Sequence, residues 1–157
     1  FLIRDALNSN IFGEPGWMGT GWRAGRDLKR KDIGGKTGTT NNSKDAWFSG
    51  YGPDTVTSVW IGFDDHRRGL GRGEAGAQSA QPAWIDFMKV ALNGLPVQQT
   101  PKPKGIISVM IDMYSGQLAS GGRSKSEFFI KGTEPTTRAV SEIGTTVTDG
   151  GETQELF

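Results

Sequence analysis

The sequence has no cysteine, a single histidine and a net charge of only +1 over 157 residues. Without cysteine there can be no disulfide and no thiolate metal site, although the compartment stays open. The near-balance of charge argues against a dedicated nucleic-acid binder, which carries a clear basic excess. It also removes self-repulsion as a reason for disorder. Leu, Ile, Val and Phe are scarce at 33 residues, or 21%, only just above the level of disordered chains. A thin core follows, with segments that need something outside the chain to order them. No apolar run approaches the ~18 residues of a membrane helix. Neither an initial Met nor a signal-like stretch stands at Phe1, so the chain reads as a cut from something longer.

What is present divides into patterned segments. Leu2, Ile3, Ala6 and Leu7 share a helical face and predict the end of an amphipathic helix, stopped by Gly13-Glu14-Pro15-Gly16. Residues 13–25, rich in Gly around Trp17 and Trp22, read as a structured loop. Arg23, Arg26, Lys29, Arg30 and Lys31 follow as a basic patch, tempered by Asp27 and Asp32 and expected to be a solvated approach to a sheet. From Ile33 the pattern turns to strands over 34–39, 45–51 and 55–63, joined by Asn41-Asn42-Ser43 and Gly52-Pro53-Asp54. Connections this short make the strands antiparallel neighbours. Val56, Val59, Trp60, Ile61 and Phe63 occupy both faces of the third, which predicts a central strand covered on both sides.

A polar Gly-rich loop over 64–78 leads to a helix over Ser79–Leu92. There Ala80, Trp84, Phe87, Met88, Ala91 and Leu92 make one apolar stripe. Ser79 supplies a cap, Pro82 fits the first turn, and Gly94 and Pro96 end the helix. The chain's own apolar area looks too small to close around Trp60, Trp84 and Phe87. Residues 97–104 are a Pro/Gln/Lys linker. Beyond it come a strand over Ile106–Asp112, a turn at Tyr114–Gln117, a short return at Leu118-Ala119 and an apolar anchor at Phe128-Phe129-Ile130. From Thr136 the chain is polar and acidic, and 141–157 read as a loosely held tail. The class is α+β: an antiparallel sheet with a packed helix over 1–96, a linker and small β-rich extension over 97–135, and a polar tail over 136–157.

The string Gly35-Lys36-Thr37-Gly38-Thr39 carries the chemistry. A phosphate loop would need Gly at position 30, where Arg30 stands, and a helix afterwards, where a strand hairpin follows. Asp64-Asp65-His66 are adjacent residues that cannot easily face one ion, so no metal and no cofactor are expected. Lys-Thr-Gly on a strand with an antiparallel partner is instead the signature shared by penicillin-binding proteins and serine β-lactamases. The longer strings are more specific: Asp32 to Thr40, Asp45 to Tyr51, Val59-Trp60-Ile61-Gly62-Phe63-Asp64-Asp65, and Ala83-Trp84-Ile85-Asp86-Phe87-Met88. Together they resemble the transpeptidase domain of class A, bifunctional penicillin-binding proteins of the 1a type, tightly from about residue 26 to 92.

The resemblance implies a fold and a site. On a strand, Lys36 and Gly38 point one way and Thr37 and Thr39 the other, so one ligand can touch all four only if the strand presents its edge to an added peptide strand. Lys36 would supply positive charge and a proton relay, and Gly38 close approach. Thr37 and Thr39 would donate hydroxyl hydrogen bonds to a ligand carboxylate, and the Thr39 N–H would be one oxyanion donor. The implied partners are a peptidoglycan stem peptide ending in D-Ala-D-Ala, β-lactams, and an upstream part of the same protein carrying Ser-x-x-Lys and Ser-x-Asn. None of the Ser residues here has Lys three on or Asn two on. The nucleophile therefore lies outside this chain. The implied setting is the periplasmic face of a bacterial inner membrane, with the anchor and a glycosyltransferase domain elsewhere in the parent. Alternatives are a D,D-carboxypeptidase or β-lactamase of the same superfamily, or a non-catalytic module that binds stem peptide or a partner.

Overall fold

A computed structural model describes residues 1–140, so the expected tail over 141–157 lies outside the described residues. These residues fall into two compact units, one over 1–104 and the other from 105 onward. The first unit runs α1 (Leu2–Phe12), α2 (Trp22–Leu28), β1 (Gly34–Thr39), β2 (Asp45–Tyr51), β3 (Val56–Gly62) and α3 (Gln81–Ala91). Its sheet is antiparallel in the order β1-β2-β3, as the short turns demand.

The register explains the two faces. Gly35, Thr37 and Thr39 stand opposite Gly50, Phe48 and Ala46, while Lys36 and Gly38 stand opposite Ser49 and Trp47. Ala46, Phe48 and Gly50 are buried and Trp47 and Ser49 exposed. Residues opposite one another share a face, so Thr37 and Thr39 lie on the core side and Lys36 on the outer side. Across the core, α3 brings Trp84 against Phe48, ring centroids 4.9 Å apart. Ile11, Ala24, Ile33, Ala46, Ala80, Ile85, Met88 and Leu92 complete the cluster.

The structure corrects four expectations here. Trp84 is fully buried by residues of this chain, whereas Trp60 and Phe87 stay 39% and 49% exposed. Ile85, absent from the expected stripe, is buried in place of Phe87, because the core-facing arc is centred on Gln81, Trp84 and Met88, which takes in Ile85 and leaves Phe87 at its rim. Ser79 does not cap the helix: its hydroxyl donates to the Glu74 carboxylate instead. Finally, β3 is an edge strand among the described residues and β2 the central one. Val56 is 82% exposed, so apolar residues on both faces of β3 did not mean cover on both sides.

Two further segments differ from their sequence reading. Trp22–Leu28 is helical where a loop running into a basic patch was expected. Nor is Arg30 solvated. Its guanidinium meets Asp32 at 2.7 Å and donates to the carbonyls of Leu95 and Pro96, just past the end of α3. The Gln98 N–H donates to the same Asp32 carboxylate at 2.9 Å. Burial pushes the Asp32 carboxyl up, but Arg30 and the Gln98 N–H outweigh it and hold it below the usual carboxylate value. A depressed native value contributes stability above the unfolded value of about 3.9, lost as pH falls through the native one. Asp32→Asn should therefore flatten the acid limb of stability below about pH 4, measured by denaturant melts across that range. An unchanged limb would mean that Asp32 does not anchor the linker.

The second unit is a hairpin of β4 (Ile106–Asp112) and β5 (Ser124–Ile130), antiparallel, with Ile106 opposite Ile130. Leu118 and Ala119 return beside β4 through an Ile111–Leu118 bridge and an Ala119 N–H to Met110 carbonyl bond. Residues 137–139 then run alongside Leu118. The fold is α+β, an antiparallel sheet with packed helices, as the composition and turn pattern predict.

Candidate active site

The Lys36-Thr37-Gly38-Thr39 string lies on β1, an edge strand of the first unit's sheet among the described residues. Antiparallel pairing points alternate backbone groups to alternate sides. The Thr40 N–H bonds back to the Asp45 carbonyl on β2, while the Gly35 carbonyl faces away and accepts from Asn10. The odd-numbered residues of β1 therefore present their backbone outward, Thr37 and Thr39 included.

Helix α1 closes the first half of this edge. Asn8 donates to the Ile33 carbonyl at 2.8 Å and Asn10 to the Gly35 carbonyl at 2.6 Å. From Thr37 onward no such cover exists among the described residues, and the opening begins at the Lys-Thr-Gly triplet. The Lys36 side chain is exposed and curls round the edge, its Nζ 2.8 Å from the Thr37 carbonyl and 3.2 Å from Thr37 Oγ1. An incoming peptide strand would have to take the place of that ammonium on the carbonyl.

The far end of the edge is pinned. Thr40 Oγ1 donates to Asp45 Oδ2 at 3.0 Å and accepts the Asp45 N–H at 2.8 Å. Trp60 Nε1 donates to Asp45 Oδ1 at 2.9 Å, and His66 Nδ1 stands 3.6 Å from Oδ2. The Trp60 N–H, assisted by Thr40 and His66 against burial, holds the Asp45 carboxyl below its usual range. Asn42 and Ser43 take positive φ in the connecting turn, which suits the short polar side chain of Asn.

Sequence reasoning assigned all four edge residues, and the structure brings them together on one strand. It missed their supports. Thr39 Oγ1 accepts the Gly76 N–H at 3.1 Å. Thr37 Oγ1 lies 3.0 Å from Thr20 Oγ1, which donates to Asn10 Oδ1 at 2.9 Å. Asn10 had left a trace: it falls on the apolar stripe of α1, at i+4 from Ala6 and i+3 from Leu7, and is buried. A polar residue on a core-facing position needs an internal partner. Thr20 and Gly76 left none, since each reaches β1 from a distant loop.

Residues 102–139 match the family model described as penicillin-binding protein 1A, C-terminal domain. The chain is 64% identical over 170 aligned residues to penicillin-binding protein 1A of Escherichia coli, covering all of this chain and 20% of that protein. It is 53% identical over 145 residues to the namesake from Haemophilus influenzae, covering 91% of this chain and 17% of the relative. A crystal structure of the Haemophilus influenzae protein superposes with a TM-score of 0.84 at 52% identity, over 89% of this chain and 21% of the other. The identity over the whole chain and the superposition at 52% identity place it in the penicillin-binding protein family. Within that family it corresponds to the C-terminal part of a penicillin-binding protein 1A. The chain spans about a fifth of the length of the curated relatives it matches.

Proposed function

We propose that this chain supplies one wall of the active site of a peptidoglycan D,D-transpeptidase, with the serine nucleophile carried by another part of the parent protein. In that reaction the serine hydroxyl attacks the carbonyl between the two terminal D-Ala residues of a stem peptide and expels the last D-Ala. The acyl group then passes to an amine of a second stem peptide, closing a cross-link and freeing the serine. A β-lactam acylates the same serine by opening its ring. Lys36 supplies the cationic wall, Gly38 the close approach, Thr39 the oxyanion N–H, and the threonine hydroxyls the polar contacts. Residues 1–96 belong to the transpeptidase domain, 97–135 to a linker and small extension, and 136–157 to a tail. The parent works at the periplasmic face of the inner membrane, held by an anchor outside this chain, and carries a glycosyltransferase domain as well.

The observation that carries this reading is the place where cover of the β1 edge stops. Asn8 and Asn10 occupy the carbonyls of Ile33 and Gly35, and among the described residues the edge opens at Lys36-Thr37-Gly38-Thr39. The test separates the wall from the nucleophile. Incubated with penicillin, this chain alone should show no mass increase, whereas the complete protein should gain one penicilloyl group. A stoichiometric adduct on this chain alone, read by intact mass, would sink the proposal.

A further inference from the structure

The edge of β1 is closed at one end. Asn8 and Asn10 hold the carbonyls of Ile33 and Gly35, so an added strand cannot continue past Lys36 in that direction. A peptide whose C-terminal carboxylate sits at Lys36, Thr37 and Thr39 ends there. The rest of it must run the other way, antiparallel to β1. At ~3.3 Å per residue, the residue before D-Ala-D-Ala comes level with the Asn41–Ser43 turn.

Three tethers hold the segment 64–76 around this turn. His66 Nδ1 stands 3.6 Å from Asp45 Oδ2, the Leu70 N–H donates to the Ser43 carbonyl at 2.8 Å, and the Gly76 N–H donates to Thr39 Oγ1 at 3.1 Å. A Cβ on Gly69 would lie 2.4 Å from the Asn42 carbonyl oxygen, so the two backbones meet directly. The segment carries Arg67, Arg68 and Arg72. Arg68 is engaged over the Phe63 ring, 3.9 Å from its centroid. The Arg67 side chain is 87% exposed, with only a loose 3.9 Å contact to Asp65. Arg72 is exposed and has no ion-pair partner among the described residues. The carboxylates nearby do not cancel these two charges. Asp65 accepts the Arg67 N–H, Glu74 accepts the Ser79 hydroxyl, and Asp64 is exposed to solvent.

We propose that Arg67 and Arg72 determine specificity for the peptide that is cleaved: they select a carboxylate on the residue preceding D-Ala-D-Ala. A guanidinium fits this task because its planar fork can give a carboxylate two parallel hydrogen bonds. The proposal rests on the transpeptidase reading and leaves the work of Lys36, Thr37 and Thr39 as stated above. It adds a second point of charge recognition at the opposite end of the same edge.

The experiment uses the complete protein and two penicillins, one with an N-acetylglutamyl side chain and one with an N-acetylglutaminyl side chain. The side chain of a penicillin takes the place of the residue before D-Ala-D-Ala, so the pair differs there by one charge. The glutamyl compound should acylate about threefold to fivefold faster, the scale of one exposed ion pair. That ratio should shrink toward unity in ~1 M salt, where charges are screened within ~3 Å. It should also fall to unity in the Arg67→Gln, Arg72→Gln double variant. Both side chains are exposed, so their removal opens no cavity and the melting temperature should hold. Lys29→Gln, which removes an exposed cation at the end of α2, should keep the parent ratio. A ratio that survives in the double variant, or that Lys29→Gln abolishes equally, would overturn the proposal by tracing the preference to overall charge or to another site. If neither penicillin acylates the complete protein, the transpeptidase reading itself falls; if both acylate it at the same rate, this proposal falls alone.

Discussion

Lys36→Ala in the complete protein should reduce acylation by a β-lactam by about a hundredfold or more, the loss of one transition-state contact worth ~3 kcal/mol. The side chain stands exposed at the open edge with its ammonium on the Thr37 carbonyl and hydroxyl. Removing it opens no cavity, so the melting temperature should barely move. Lys44, a few residues on beyond the Asn41–Ser43 turn, provides the control. Lys44→Ala removes the same charge from the same hairpin and should acylate at close to the parent rate. The comparison isolates position from charge, because long-range steering by an exposed cation would be lost from either lysine alike. Equal acylation by both folded variants would mean that Lys36 is an ordinary solvated strand residue.

Gly76→Ala should unsettle the fold and the site together. A Cβ at residue 76 would lie 2.3 Å from the Trp47 carbonyl oxygen and 2.7 Å from that of Gly38. Both are backbone atoms within the β1–β2 ladder, and neither can swing aside as a side chain could. The turn would have to lift off the sheet, at about 2–3 kcal/mol for an overpacked contact. Lifting it withdraws the N–H that holds Thr39 Oγ1, so acylation should fall as well. Gly73 in the same loop has φ +82 with nothing within 4 Å of a built Cβ. Gly73→Ala should therefore show only the left-handed penalty of about 1 kcal/mol and leave acylation alone. Denaturant melts of the two variants that coincide would refute the packing argument.

The parts of this fold legible in the sequence are those fixed by neighbours along the chain. Asn41-Asn42-Ser43 and Gly52-Pro53-Asp54 allow nothing but hairpins, and the order β1-β2-β3 follows. The stripe from Ala80 to Leu92 announces a helix. What the sequence concealed depends on partners far away. The helix at Trp22–Leu28 carries Gly25, a poor helix former, where α1 packs close: a Cβ would lie 2.9 Å from the Phe12 ring and 3.2 Å from Ile11 and would push the ring aside. Propensity lost to packing. Arg30 looked like one charge among five, and its role depends on carbonyls more than sixty positions away. The Lys-Thr-Gly string was readable because its residues are contiguous, whereas Thr20, at a separation of 17, and Gly76, at 37, were not.

The Arg30–Asp32 clamp has a mechanical meaning as well as a thermodynamic one. It grips the chain at Leu95, Pro96 and Gln98, and Ile33 alone separates Asp32 from the first residue of β1. Tension applied through the linker would reach the strand bearing Lys36 by this short route, bypassing the whole length of α3. The side chains in the load path are a guanidinium, a carboxylate and backbone amides, which fail by losing hydrogen bonds one after another and re-form when the load is released. The clamp would act as a slip coupling: small pulls are transmitted to the strand edge, and larger ones let the linker go before the sheet is strained.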